Sequence, residues 1–157
     1  MTYYPGTIGL PDAASPPMCN KSWTITAEIN VQDATAKGMI VTHGGLEGGY
    51  GLYVRDGRPT FVYNFLSIER PTFSAKDALP KGKTILVVDF VYDGGGMGKG
   101  GTITMSANGN KVAEGRLERT IPIQFSLGEG LDIGRDSNRR STLLTNSHLN
   151  SPERSRR

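Results

Sequence analysis

The stretch Asp93-Gly-Gly-Gly-Met-Gly-Lys-Gly-Gly101 is where chemistry would first be sought. A glycine-rich loop can cradle a phosphate, but a phosphate loop needs a Lys-Ser/Thr pair opening a helix behind its glycines. Here Lys99 is followed by Gly100, Gly101 and a strand-forming run, so no helix N-terminus would face the anion. The glycines suit a tight strand connection instead, because they reach backbone conformations closed to other residues. Asp93 could offer calcium a hard oxygen ligand beside loop carbonyls, yet no second carboxylate neighbours it in the loop. His43 and His148 are too isolated to suggest a zinc site, and His43, set among glycines, is expected at the surface. Asp89 interrupts an apolar strand. If its face is buried it needs a partner, expected to be Lys or Arg on an adjacent strand. Its role reads as structural, since no second carboxylate is placed to share acid–base work. Tyr50, Tyr53, Tyr63 and Tyr92 could stack on sugar rings. Tyr50, Tyr63 and Asn64 are the candidate ligand-binding residues, although alternating aromatics serve more often as core or cross-strand pairs. No nucleophile–base set is visible. No catalytic residue, metal site or cofactor is therefore expected.

The elements that would position these residues are strands. Lys83-Thr-Ile-Leu-Val-Val-Asp-Phe-Val-Tyr92 is rich in β-branched and aromatic residues and reads as a strand buried on both faces. Thr102 to Ala107 alternates, with Ile103, Met105 and Ala107 on one face. Asn108-Gly109 is a strong hairpin signal, and Lys111 to Arg116 is the return strand. Ile103 and Val87 are expected in the core. Ser22 to Val31 alternates strictly, so one face is buried and one is wet. Gly38 to Thr42 is a short strand, and Tyr50–Arg55 and Thr60–Phe65 form a hairpin about Asp56-Gly57. Glu69 to Ser74 is an edge strand, since Pro71 cannot donate to a ladder. Ile121–Leu127 and Leu131–Gly134 are weaker strands. No segment reads as a helix. Many short strands with turn signals between them predict an all-β domain, a jelly-roll β-sandwich.

The chain has 157 residues and a net charge of +3, which suits one domain with a real core. The organisation expected is a loop-rich lead-in over 1–21 that packs on the sandwich, a sandwich over 22–134, and a disordered basic tail over 135–157. Much of the positive charge falls in that tail, at Arg135, Arg139, Arg140, Arg154, Arg156 and Arg157, so no basic nucleic-acid face is implied. Cys19 is the only cysteine, which excludes an internal disulfide. No stretch reaches membrane-spanning length and no signal peptide is visible. A cytoplasmic location and no membrane partner are the expectations.

Several stretches are familiar when taken together in order and spacing. They include Tyr4-Pro5-Gly6 with Leu10-Pro11, Lys21-Ser-Trp-Thr-Ile-Thr-Ala-Glu28, and Gly48-Gly-Tyr50. Tyr63-Asn-Phe-Leu66 with Glu69-Arg70, and Phe90 through the glycine loop to Thr102, continue the pattern. Val112-Ala-Glu-Gly-Arg116, Glu118-Arg-Thr120 and Phe125-Ser-Leu127 close it. Over residues 3–134 the chain resembles the C-terminal region of large bacterial arylsulfatases. The resemblance implies a concanavalin A-like sandwich that follows a catalytic α/β domain, with sulfate-ester chemistry belonging to that upstream domain. The family's formylglycine motif is Cys or Ser, any residue, Pro, any residue, Arg. Cys19-Asn-Lys-Ser-Trp23 does not match it, and Asn150-Ser-Pro-Glu-Arg154 lacks the oxidisable residue. The implied role is a non-catalytic accessory domain packing on the sulfatase catalytic domain. The alternative is a carbohydrate-binding, lectin-like module; a small hydrolase is disfavoured by the missing nucleophile–base set. The resemblance also implies a further apolar strand after Asp132-Ile-Gly134. The tail does not show one, so an uncovered sheet edge and self-association are expected.

Overall fold

Trp23, Ile25, Ala27, Ile29 and Val31 all turn inward along one strand, and every residue between them is at least partly wet. The same rule builds most of the chain, because period-two alternation leaves a strand no other way to bury one face. The computed structural model describes residues 2–4, 6–11, 14–44, 48–123, 125 and 130–134, and the backbone of 144–150. The strands are β1 (Thr2–Tyr3), β2 (Trp23–Val31), β3 (Gly38–Gly44), β4 (Gly49–Arg55), β5 (Arg58–Asn64) and β6 (Thr72–Ser74). They continue with β7 (Gly82–Tyr92), β8 (Lys99–Ala107), β9 (Asn110–Arg119), β10 (Leu131–Ile133) and β11 (Leu144–Asn150). They form two antiparallel sheets, ordered β1-β11-β2-β7-β8-β9 and β10-β3-β4-β5-β6. The fold is the expected all-β, jelly-roll sandwich, with no α-helix among the described residues.

Both predicted hairpins form. Asp56-Gly57 and Asn108-Gly109 each have positive φ at both positions, the conformation whose twist matches two paired strands. β6 lies at the edge of its sheet with Pro71 just before it, where a missing N–H costs no ladder bond. The core is sealed by side chains from both sheets. Trp23 packs against Phe90 of its own sheet at 5.3 Å and against Phe61 of the other at 5.6 Å. Ile25, Leu52, Phe61, Leu86 and Ile103 are fully buried around it. Each such side chain contributes about 1.5–3 kcal/mol by leaving water. The lead-in also packs: Met18 joins the core, and Leu10 exchanges backbone hydrogen bonds with Leu131.

Four expectations are corrected. β7 is not buried on both faces. Leu86, Val88 and Phe90 point inward, while Ile85, Asp89 and Val91 are exposed and Val87 is only half-buried. Val87 stands between Thr26 and Ser106 on the outer face, so of the two proposed core residues only Ile103 is one. The described part of 121–127 is loop, although Ile121 and Phe125 are buried. Finally, the tail is not wholly outside the fold. Leu144–Asn150 pairs with β2 from Leu144↔Asn30 to Asn150↔Thr24 and covers the edge expected to be open. A ladder is made by backbone groups and tolerates polar side chains, and these seven residues contain no Pro or Gly to interrupt it. Residues 135–143 and 151–157 lie outside the described residues.

Candidate functional site

The residues picked for chemistry do not gather at one place. Tyr50 and Tyr63 lie on inward positions of β4 and β5 and are buried, so neither ring can receive a sugar. Their work is packing: Tyr50 stacks on Trp23 and Phe61, and Phe125 meets both tyrosines edge-on. The Tyr63 hydroxyl accepts a hydrogen bond of 2.9 Å from the Ile121 backbone N–H, and burial pushes its phenol pKa up. His43, expected outside, is inside, set edge-on to Tyr50 and Phe125. Its flanking glycines misled because they serve the strand exit at Gly44, where the chain has positive φ.

Asp89 needs no buried counter-charge. It is exposed and accepts a hydrogen bond of 2.5 Å from the Thr24 hydroxyl across the ladder. Asp93 is committed to Arg116, whose guanidinium donates to both carboxylate oxygens, at 2.6 and 3.2 Å. That pairing holds the Asp93 carboxyl below its usual range. It also occupies the ligand atoms that a calcium site would need. Among the described residues no group of acidic, histidine or cysteine side chains could hold a metal ion.

Two surface features remain. The first is a hollow of about 160 Å³ on the outer face of the β3-β4-β5 sheet. Gly51 forms its floor, and Met39, Thr42, Tyr53, Val62 and Asn64 wall it. A Cβ at Gly51 would meet the Val62 side chain at 3.5 Å and the Val41 carbonyl oxygen at 4.0 Å, both ordinary contacts, so the missing side chain is what leaves the space. Of the three ligand-binding candidates, Tyr50 and Asn64 line this hollow, but Tyr50 is buried; the Asn64 side-chain oxygen also accepts from the Ser67 N–H.

The second feature is one end of the sandwich. Leu66, Ile68, Met97 and Ile123 stand there between 48% and 77% exposed. Their loops are held, not loose. The Phe65–Glu69 turn closes on its own backbone, and Arg119 grips it by pairing with Glu69 at 2.9 Å and lying over the Phe65 ring at 4.4 Å. Arg119 pairs in register with Lys99 at the end of the glycine loop. Asn20 then ties that loop to the segment after β9: Gly98 N–H donates to its side-chain oxygen at 2.7 Å, and its amide donates to the Pro122 carbonyl at 2.6 Å. The glycine loop is a structural connection, as expected. Nothing in the local sequence marks Asn20, Arg116 and Arg119 for these roles, because each acts on a residue distant in the chain.

No family model matches the sequence, and no curated protein is significantly similar to it. Solved structures do match. The receptor-binding domain of botulinum neurotoxin D has a TM-score of 0.56 at 11% identity, over 82% of this chain and 32% of that one. The receptor-binding domain of the C/D mosaic serotype has a TM-score of 0.55 at 12% identity, over 83% and 32%. The serotype C1 binding domain has a TM-score of 0.52 at 12% identity, over 82% and 32%. The chain thus spans about a third of the length of these neighbours. At such identity the likeness establishes the fold and nothing more.

Proposed function

We propose that this sandwich is a non-catalytic accessory domain that docks by one end on the catalytic domain of an arylsulfatase-like sulfate-ester hydrolase. The observation that carries the reading is the set Leu66, Ile68, Met97 and Ile123. Exposed apolar residues scattered singly need no explanation, but a group gathered on one end is the mark of an interface. The loops beneath are clamped by Asn20 and Arg119, so binding would order little and the surface is preorganised. The arylsulfatase-like stretches supply the kind of partner: in that resemblance 63–66 bears Leu66 and 90–102 bears Met97.

The test mixes the full chain with a purified arylsulfatase catalytic domain from a large bacterial enzyme and measures association by calorimetry. Micromolar or tighter binding is expected, weakened at least tenfold by Ile68→Asp with Ile123→Asp. A folded chain that binds no such domain would overturn the proposal.

A second reading rests on the hollow over Gly51, which is about the size to admit part of one sugar ring and carries Asn64 and Tyr53 at its rim. The binding domain of botulinum neurotoxin DC, a structural neighbour at 9% identity, was solved in complex with SialylT. A glycan array separates the readings. Glycan binding abolished by Gly51→Val, with no effect of Ile68→Asp, would favour the lectin-like module.

A further inference from the structure

β6 and β9 are the edge strands on one side of the sandwich, and a single ring closes the gap between them. Phe73 lies on Gly115, where any added Cβ would collide with the ring. Beyond Phe73 the filling stops. Ala75 and Ala107 are buried but small, and Val112 is only half-buried, so a groove of about 380 Å³ opens between the segment 75–80 and the β8–β9 turn. It lies at the other end of the sandwich from Met97, since β8 runs from the glycine loop to Ala107. Both walls are fixed. The Ala75 and Leu79 N–H groups donate to the carbonyls of Pro59 and Gly57, at 3.0 and 2.7 Å, and Ala78 packs over Gly57. Across the groove, the Asn108 N–H donates to the Ile85 carbonyl and the Asn108 side-chain oxygen accepts from the Ile85 N–H, both at 2.9 Å. Those two bonds set the amide plane and leave its nitrogen without an acceptor among the described residues.

The charges at the rim differ in what already occupies them. Lys111 pairs with Glu114 at 2.5 Å. Lys76 and Asp77, both exposed, have no ion-pair partner among the described residues. The groove thus presents one unpaired cation, one unpaired anion and a fixed amide donor around a floor of Ala75, Leu79 and Ala107. We propose that it binds a small zwitterion with an apolar body, of which a free aliphatic amino acid is the simplest. The ligand carboxylate takes the Asn108 amide hydrogens and the Lys76 ammonium, the ligand ammonium pairs with the Asp77 carboxylate, and the side chain lies on the apolar floor. The volume falls in the range of about 300–1,000 Å³ where small-molecule sites lie. Each exposed ion pair is weak alone, so binding rests on making all the contacts at once against walls that need no ordering. A ligand with one charge leaves the opposite rim charge partly desolvated and unpaired, and gains less.

The experiment uses the full, isotope-labelled chain and follows backbone amide shifts as L-leucine is added. Saturable shifts are expected at Ala78, Asn108 and Lys111, with a dissociation constant of about 1 mM, the scale that a ligand of about nine non-hydrogen atoms reaches. The amides of Gly51 and Asn64, in the other hollow, should not move. 4-Methylpentanoate lacks the ammonium and 3-methylbutylamine lacks the carboxylate, and each should bind at least threefold more weakly. Glycine, which lacks the apolar body, should give no saturable shift. Asp77→Asn should weaken leucine at least threefold and leave 4-methylpentanoate unchanged. Lys76→Gln should weaken leucine to the same degree and leave 3-methylbutylamine unchanged. Both substitutions fall at exposed positions, and unmoved amides at the buried Ile25 and Ile103 verify that the variants fold. Leucine that does not saturate, that binds no better than glycine or either singly charged analogue, or that is unaffected by either substitution would overturn the proposal.

Discussion

Asp93 and Arg116 show how a residue that looks available for chemistry is already spent. The carboxylate sits at the mouth of a glycine loop, where a cation ligand would be sought, but both its oxygens accept from one guanidinium. The same guanidinium donates to the Thr102 hydroxyl at 3.3 Å, which fixes its plane. The hydrogen bond from Arg116 is the main reason that the Asp93 pKa is lowered, with the attraction of its charge adding to it. A carboxyl with a depressed folded pKa stabilises the fold above its unfolded pKa of about 3.9, and loses that contribution as pH falls through the folded value. Both partners are well exposed, so the gain is the modest one of a screened surface pair. The expected outcome is a carbon-detected titration of Asp93 with its midpoint below about 3.9. Arg116→Gln should return it to the ordinary range. An unshifted midpoint in the native chain would mean that the pair does not persist in solution.

Elements differ in how plainly the sequence announces them, and the reason is physical. The hairpin turns at Asp56-Gly57 and Asn108-Gly109 and the alternation of Trp23–Val31 are local facts, so they could be read without knowing the fold. β7 could not be read fully, because a continuous apolar run is the same whether a strand has neighbours on one face or two. Only the placement of the second sheet decides that Val87 faces out and Val88 faces in. Leu144–Asn150 was missed as a strand because its pairing is written in β2, not in itself. The site was less legible still. Of Tyr50, Tyr63 and Asn64, Tyr50 and Asn64 line the surface hollow but only Asn64 is not buried, and neither Gly51 nor Asn20 has a pattern that marks it. Asn20 joins the β7–β8 loop to the segment after β9 while holding a positive φ of 59° itself. Asn20→Ala would leave the Gly98 N–H and the Pro122 carbonyl without these partners, and alanine tolerates that backbone less well than asparagine. A loss of about 1–3 kcal/mol is expected in urea unfolding. Asn20→Asp, which keeps one acceptor and the φ preference, should lose less. Equal and negligible losses would show that the clamp contributes nothing.

At the scale of the whole molecule, the two faces of β7 separate what holds the sandwich together from what it shows to others. Inward, Ile103 on β8 is fully buried in a core shared by both sheets, so its truncation leaves a cavity that rigid strands cannot collapse. Ile103→Ala should cost about 2–5 kcal/mol. Outward, Val87 is half-buried, and Val91, at 61% exposure, continues the same row toward the end that bears Met97. Val87→Ala should cost about 1 kcal/mol or less in the isolated chain, since water replaces much of what the methyl groups lose. Ile103→Ala removes one carbon more than Val87→Ala, about 0.8 kcal/mol if buried, so a difference beyond that measures burial. Urea melts of both variants decide it. Near-equal losses would place Val87 in a second buried layer, covered by something the single chain does not supply, such as another copy of itself at the concentration used. A repeat of the melt at a tenfold lower protein concentration separates those cases, because only an assembled layer loosens on dilution.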